Sequence, residues 1–477
     1  MNQFYVTTSI PYVNDVPHLG HALDFLIADV YARRARKQNK QVIFSTGTDE
    51  HGGKIDEKAE AQGISAQELA DSISKEFLEL TKLLNISNNR FVRTTDPAHV
   101  QRAQLIWQKL QKDIYKGSYI GWYCTGDEAY FSESEVRANN GICPNHNRPF
   151  EKIEEENYFF KLSKYSESVF DAIKSNKFKI YPKTRRNEIL ALFDKGLEDI
   201  SISRPKDKIK WGIDVPNDPS QVMYVWFEAL MNYITVLGYP EHSDFKQFWP
   251  ANIQIVGKDI IRFHAAIWPA MLMSLGLKLP ISLYAHGFVV VDGKKMSKTL
   301  KNVIAPKEIV DKHGVDAYRY FFLRHIPSSS DGNFTWDNFE EVYNNELANE
   351  LGNLVQRTSA MIQKYLNFKI PNRIPPEHDI KNYETALDEF RIDQAIEEVW
   401  KQIRGLNQYI EETKPWTIFK DNDLDHLQEI FSYLVSSILE IADLLEPFMP
   451  ETSTKITNLF SGTEIPQTVE ILFQKTK

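Results

Sequence analysis

The sequence predicts an α/β protein: a parallel-sheet domain split by an inserted domain and followed by an α-helical bundle. Three observations predict it. Strand-forming and helix-periodic segments alternate near the N-terminus, which requires crossovers and therefore a parallel sheet. The alternation breaks at about residue 116 and resumes after residue 216. Beyond Asp337 apolar residues recur three or four apart, as in Leu347, Leu351, Leu354 and Val355.

The elements follow in chain order. Residues 4–10 are rich in β-formers and stop at Pro11. A loop at 12–17 precedes an apolar-periodic helix at 19–36, and a second strand spans 41–47. Residues 48–53 form a polar, glycine-containing loop. Ser65 and Glu68 make a capping box that opens another helix. The insertion collects aromatics, both cysteines and short strand-like runs such as 158–162. A strand at 252–256 then leads through Gly257-Lys258-Asp259 into a long helix ending at Leu277. Another strand covers 283–291, with a tight turn at Asp292-Gly293. A loop at 370–376 separates helices of the bundle. The expected domains are 1–115 with 217–290, then 116–216, 291–340 and 341–477.

Composition narrows the class. The 477 residues suit about three domains. With 42% hydrophobic and 25% charged residues, disordered, collagen-like and disulfide-scaffold chains are excluded. Only Cys124 and Cys143 are present, which points to a reducing compartment. No basic-then-apolar leader precedes Phe4, and no apolar run reaches the ~18 residues of a membrane span. The expectation is a cytoplasmic protein with no membrane partner. A net charge of -9 argues against coating nucleic acid by bulk charge, but not against a local basic face. Arg33, Arg34, Arg36, Lys37 and Lys40 read as a solvated helix end.

Two segments carry chemistry. Pro17-His18-Leu19-Gly20-His21 sits between a strand end and a helix start, where free N–H groups and the helix dipole attract phosphate. His18 and His21 are three apart and face one way, and Gly20 lets a base or sugar approach the backbone. Lys295-Met296-Ser297-Lys298-Thr299 follows the Asp292-Gly293 turn, and its two lysines suit a loop that closes over polyphosphate. Taken singly, each also reads as a bland feature: two surface histidines at a cap, and a solvated basic loop. No GxGxxG, Walker A or HExxH is present, so dinucleotide, P-loop and zincin readings lack support.

HLGH and KMSKT resemble the HIGH and KMSKS motifs of class I aminoacyl-tRNA synthetases. Further segments are similar to those of methionyl-tRNA synthetases: Thr8-Ser9-Ile10-Pro11-Tyr12-Val13-Asn14, Gly47-Thr48-Asp49-Glu50-His51-Gly52 and Tyr224-Val225-Trp226-Phe227-Glu228-Ala229. The resemblance continues through Gly257-Lys258-Asp259, Phe263-His264, Trp268-Pro269-Ala270 and residues 331–336 into the bundle. It implies a Rossmann-like catalytic domain split by a connective insertion, a KMSKS-loop and stem-contact region at 291–340, and an anticodon-binding bundle. The implied reaction is ATP-dependent ligation of methionine to tRNA(Met) through methionyl adenylate, releasing pyrophosphate and AMP.

Site residues follow by motif match. The resemblance makes His18, His21, Lys295 and Lys298 the catalytic groups that stabilise phosphate charge. It puts Gly20, Gly257, Asp259 and Lys298 at ATP, with Mg²⁺ accompanying the nucleotide. Asp49 matches the residue that binds the α-amino group. Ile10, Tyr12, Trp226, Ala229, Tyr233, Ile260, His264 and Trp268 match the side-chain pocket, although the aromatics among them also read as plain core. Leu230 departs from the family's common proline, so that wall is expected to differ. Asn353 and Arg357, four apart on one helix face, match the anticodon-reading pair. Trp416 matches the aromatic that stacks on an anticodon base, and equally reads as a packing tryptophan after a helix break.

Cys124, Asp127, Cys143 and His146 stand where related enzymes carry a zinc knuckle. Structural zinc prefers sulfur and nitrogen and one cysteine is missing, so a degenerate knuckle without metal is expected. A chain ending soon after the bundle suggests a monomer. Other class I synthetases fit less well. The insertion of about 100 residues is small for an editing domain, and no cysteine lies near the Asp49 or Trp226 motifs. A catalytically silent tRNA-binding relative is opposed by intact HLGH and KMSKT.

Overall fold

The computed structural model describes residues 2–124, 129–131, 133–144, 147–194, 196–296, 302–374 and 379–476. Its chain divides into two compact units. One comprises residues 1–17, 39–82 and 87–285, and the other 18–38, 83–86 and 286–477.

The first unit is organised by a six-stranded sheet. Its strands lie in the order Arg90–Arg93, Gln41–Thr48, Gln3–Thr8, Ile253–Gly257, Ser282–His286, Lys179–Tyr181. Gln3–Thr8 pairs in parallel with both Gln41–Thr48 and Ile253–Gly257. The β-branched and aromatic residues of these strands suit a sheet covered on both faces, and Tyr5, Val6 and Ile255 are fully buried. Going outward from Gln3–Thr8 and Ile253–Gly257, the following strands lie on opposite sides. Such a switch point leaves a crevice at the carboxyl ends of the two strands.

Two sequence expectations are corrected here and one is refined. Lys179–Tyr181 falls inside the expected insertion, yet it pairs in parallel with Ser282–His286, Ile180 opposite Leu283. Phe178 and Ile180 belong to the main core, and a three-residue strand is too short to show a period. The rest of the insertion is built on a long antiparallel pair, Ile114–Cys124 with Glu151–Phe160. The expected long helix after Gly257-Lys258-Asp259 is present as an unbroken helical run to Leu275, with a 3₁₀ turn at Lys258–Ile260 and a π-helical turn at Phe263–Ile267 before the α-helix Trp268–Leu275. Pro269 has no N–H to give the preceding turn, which accounts for the wider winding there. Gly276, at φ 71°, ends the helix in the left-handed region.

The second correction involves the passage into the second unit. The expected strand 283–291 is two strands. Ser282–His286 lies in the parallel sheet, whereas Val289–Val291 joins Lys294–Lys295 and Gly332–Phe334 in a separate one. At Gly287 a Cβ would lie 2.3 Å from the Ser330 carbonyl oxygen, so only glycine admits the approach that breaks the strand. The expected turn is present: Asp292 and Gly293 have φ 50° and 72°, joining a hairpin with Val291 opposite Lys294.

The second unit is helical apart from that small sheet. Leu19–Lys37 is mostly buried, and its basic end, with Lys37 exposed and Arg33, Arg34 and Arg36 half-buried, is paired rather than only solvated. Arg33 pairs with Asp29 (2.7 Å) and Glu446 (3.1 Å), Arg34 with Glu384 and Asp388, and Lys37 with Asp443. The helix end is basic because the bundle presents acids to it. Deeper in, fully buried Arg319 pairs with Asp29 (2.8 Å) and donates to the carbonyls of Leu84, Pro447 and Phe448. The principal bundle helices are Asn353–Tyr365, Ile392–Thr413 and Leu424–Leu445. Leu347, Leu351, Leu354 and Val355 are buried among them, as their spacing requires. Among the described residues no helix is long and apolar enough to cross a membrane.

Candidate active site

In the first unit Ile10, Tyr12 and Asp49 follow the carboxyl ends of Gln3–Thr8 and Gln41–Thr48, and Ile260 follows that of Ile253–Gly257. Tyr12 forms a parallel bridge with Asp49. The Val13 N–H donates to the Asp49 carbonyl (3.0 Å), and the Asp49 N–H donates to the Pro11 carbonyl (2.8 Å). The loop after one strand is thereby locked to the loop after its neighbour. Ile10 is half-buried two residues before Tyr12, and Asp49 is buried. At Gly47 a Cβ would lie 1.9 Å from the Val92 carbonyl oxygen, so glycine is required for the strand that delivers Asp49.

The aromatic residues belong to one large core or pack against it. Tyr12, Trp226 and Ile260 pack against the core that contains Tyr233 and Trp268. Trp226 stacks on Phe263 with centroids 4.1 Å apart and an interplanar angle of 11°. The Tyr233 and Trp268 rings lie 5.8 Å apart. His264 bonds the Tyr233 hydroxyl through Nε2 (2.7 Å) and the Ile260 carbonyl through Nδ1 (2.9 Å). A carbonyl can only accept, so Nδ1 carries a proton; in the neutral ring Nε2 then accepts from Tyr233. Ala229 is buried in the short helix Val225–Ala229. Leu230 packs in the core and donates its N–H to the Trp226 carbonyl (3.3 Å), a bond proline lacks. At the neighbouring strand end, the Asp259 carboxylate folds back over Gly257, where a Cβ would lie 2.6 Å from Oδ1.

Behind these residues lies a buried polar network that the sequence reading passed over. Glu50, fully buried, receives Arg93 in a two-point bond of 2.7 and 2.8 Å and Thr48 at 2.6 Å. Glu228, also fully buried, receives His51 Nδ1 (2.8 Å) and His99 Nε2 (2.9 Å). Burial alone would push the Glu228 carboxyl up; the imidazoles of His51 and His99 outweigh it and hold the group below the ordinary glutamate value. Glu50, His51 and Glu228 stand in the quoted motifs, yet Glu228 lies 177 residues from His51. No local period signals a contact of that range.

The second unit carries the histidine motif at the start of Leu19–Lys37. The Gly20 N–H donates to His18 Nδ1 (3.1 Å), and the His18 N–H donates to His21 Nδ1 (3.4 Å). Each Nδ1 is an acceptor, so the proton of each neutral ring sits on Nε2. The rings stack 3.8 Å apart. Burial, then the His18 ring, hold the His21 imidazole well below the usual histidine value. Lys295 ends the hairpin, with its ammonium 5.1 Å above the Phe288 ring. Lys298 lies outside the described residues.

In the bundle, Asn353 is exposed and Arg357 half-buried on the same helix. Arg357 pairs with Glu411 at 2.8 Å. Trp416 is half-buried in the short helix Pro415–Lys420, which follows Lys414 in the left-handed region. Of the knuckle positions, Cys124 and Cys143 are buried in one small apolar cluster with Val136 and Phe150. Asp127 and His146 lie outside the described residues.

Comparison with known proteins extends this geometry. Residues 4–152 and 145–359 match the family model described as tRNA synthetases class I (M), and residues 375–473 match the anticodon binding domain of methionyl tRNA ligase. The methionine–tRNA ligase of Caldanaerobacter subterraneus subsp. tengcongensis is 43% identical over 98% of this chain and 75% of its own length. That of Thermotoga maritima is 39% identical over 97% of this chain and 76% of its own length. The Mycobacterium tuberculosis methionyl-tRNA synthetase, solved in complex with methionyl-adenylate, superposes with a TM-score of 0.92 at 36% identity, covering 99% of each chain. With both family models matched in order and relatives 39% and 43% identical over nearly the whole chain, the chain belongs to the methionyl-tRNA synthetase family of class I aminoacyl-tRNA synthetases.

Proposed function

We propose that this chain ligates methionine to tRNA(Met) in two steps, with its site residues divided between them. In the first, a methionine carboxylate oxygen attacks the α-phosphorus of ATP; the bond to the β-phosphate breaks and pyrophosphate leaves. In the second, the terminal 2′-hydroxyl of tRNA attacks the adenylate carbonyl carbon, and AMP leaves. Neither step needs covalent participation by the protein, so catalysis is positioning and charge stabilisation.

Asp49 receives the α-ammonium as a charge-assisted bond. Ile10, Tyr12, Trp226, Ala229, Tyr233, Ile260, His264 and Trp268 enclose the thioether, whose polarizable sulfur gains ~0.3–1.5 kcal/mol per aromatic contact. His18 and His21 donate through Nε2 to phosphate oxygens, and Lys295 and Lys298 neutralise charge as pyrophosphate separates. Gly20 and Gly257 admit the nucleotide, and Asp259 accepts a ribose hydroxyl. Mg²⁺ arrives with ATP and helps to neutralise its phosphates. Asn353 and Arg357 read base edges of the anticodon while Trp416 stacks on a base. We place the protein in the cytoplasm as a monomer, which light scattering tests. The knuckle is metal-free in this reading, and stoichiometric zinc by elemental analysis, lost on Cys124→Ser, would overturn that point.

The observation that carries this reading is the bridge of Asp49 to Tyr12, whose side chain packs against the core that contains Tyr233 and Trp268. A carboxylate for an ammonium thus stands on the loop bridged to one that carries a core-packed aromatic residue. The test is ATP–pyrophosphate exchange with each amino acid in turn, without tRNA. Exchange that depends on methionine is expected; exchange driven by another amino acid would overturn the assignment.

A further inference from the structure

Glu228 sits between two of the segments that supply methionine-facing residues. It lies on Val225–Ala229, the helix of Trp226 and Ala229. Its Oε1 receives His51 Nδ1, two residues beyond Asp49, and its Oε2 receives His99 Nε2. His99 in turn bonds Thr235 Oγ1 (2.8 Å) through Nδ1, on the short helix Asn232–Thr235 that carries Tyr233. A carboxylate only accepts, so both imidazoles donate to it; His99, if neutral, then accepts from the Thr235 hydroxyl. One buried anion therefore joins the loop of Asp49 to the two helices that bear Trp226, Ala229 and Tyr233.

We propose that Glu228 is a positioning residue for methionine: it sets the spacing between the α-ammonium partner Asp49 and the aromatic wall. The proposal rests on the methionine reading above. Its carboxylate is engaged by the two imidazoles, so it acts through Asp49 and the wall. A methionine is held at both ends only if those ends stand the right distance apart. Misplacement of an anchor by about 1 Å is enough to cost ~10²-fold in a positioned reaction.

The test is ATP–pyrophosphate exchange by wild type, Glu228→Gln, His51→Asn and His51→Leu, with KM measured separately for methionine and ATP, and a thermal melt of each. Glu228→Gln keeps the volume but removes the anion and sets an amide N–H against one imidazole N–H. It is expected to raise the methionine KM at least tenfold, leaving the ATP KM unchanged. His51→Asn keeps a donor near the Nδ1 position and should stay within about threefold of wild type; His51→Leu, without a donor, should rise with Glu228→Gln. If Glu228→Gln does not fold, the two His51 variants decide. Lower melting temperatures with an unchanged methionine KM in the folded enzyme would overturn the proposal alone. A wild type without methionine-dependent exchange would overturn the methionine reading and this proposal together.

Discussion

Each unit of this protein buries an ionic network, and the two networks stand at different distances from the residues assigned to chemistry. In the first unit, buried Glu50 and His51 follow Asp49 directly in the chain, held by Arg93 and by buried Glu228 respectively. In the second, Asp29 of the Asp29–Arg319 pair lies on the same helix as His21 but eight residues on, about 12 Å along its axis. The first network shapes a site; the second holds a helix in its bundle. Changes to the first should therefore appear in methionine binding, and changes near the second should separate cleanly into stability or catalysis.

The largest expected effect is at the histidine motif. His21→Ala should lower exchange kcat about 10²–10³-fold with an unchanged melting temperature, because one donor to developing phosphate charge is lost. A parallel fall in stability would erase the contrast between units. Arg319→Met is the converse. It strips three carbonyls and Asp29 of a buried partner and should cost about 3–5 kcal/mol in chemical denaturation, with methionine KM per folded molecule unchanged.

A third prediction concerns Asp113, which is buried in the first unit away from the Asp49 loop. It receives Lys164 and Tyr165 at 2.5 Å and Ser274 at 2.6 Å. Burial pushes its carboxyl up, but the bonds from Lys164, Ser274 and Tyr165 win and bring it down to about 2. A depressed folded-state value means the stabilisation is complete above the unfolded value near 4 and fades as pH falls toward 2. The contribution is about 2 kcal/mol, and Asp113→Asn should flatten that part of a stability–pH curve. A curve unchanged by the substitution would show that this carboxylate is not the acid-sensitive element. The smallest effect belongs to the bundle. Arg357→Ala should weaken tRNA binding about tenfold while leaving tRNA-free exchange unaltered, and Glu411→Gln, which releases the Arg357 partner, should change affinity in the opposite direction.

Local patterns and motifs were legible wherever a short stretch contains its own physics. The helix at Leu19–Lys37, the Ser65–Glu68 capping box and the Asp292-Gly293 hairpin turn were all readable from adjacent residues, because capping, turn sterics and helical period act over a few positions. The candidate pocket residues were legible only through motif resemblance, since an aromatic at a helix position looks the same in a pocket and in a core. The solvated reading of Arg33 and Arg34 failed because Glu446 and Glu384, which pair with them from the bundle, lie more than 300 residues along the chain.

The sequence by itself determined the α/β class, the helical C-terminal region and the motifs that place the chain in its family. Tertiary structure decided the rest. It recruited Lys179–Tyr181 to the parallel sheet, broke the 283–291 strand at Gly287, and opened a π-helical turn before Pro269 where His264 meets Tyr233. It also placed Glu228 against His51 and His99. Close backbone approach and buried charge pairing depend on distant partners, and a linear pattern records only what each residue prefers among its neighbours.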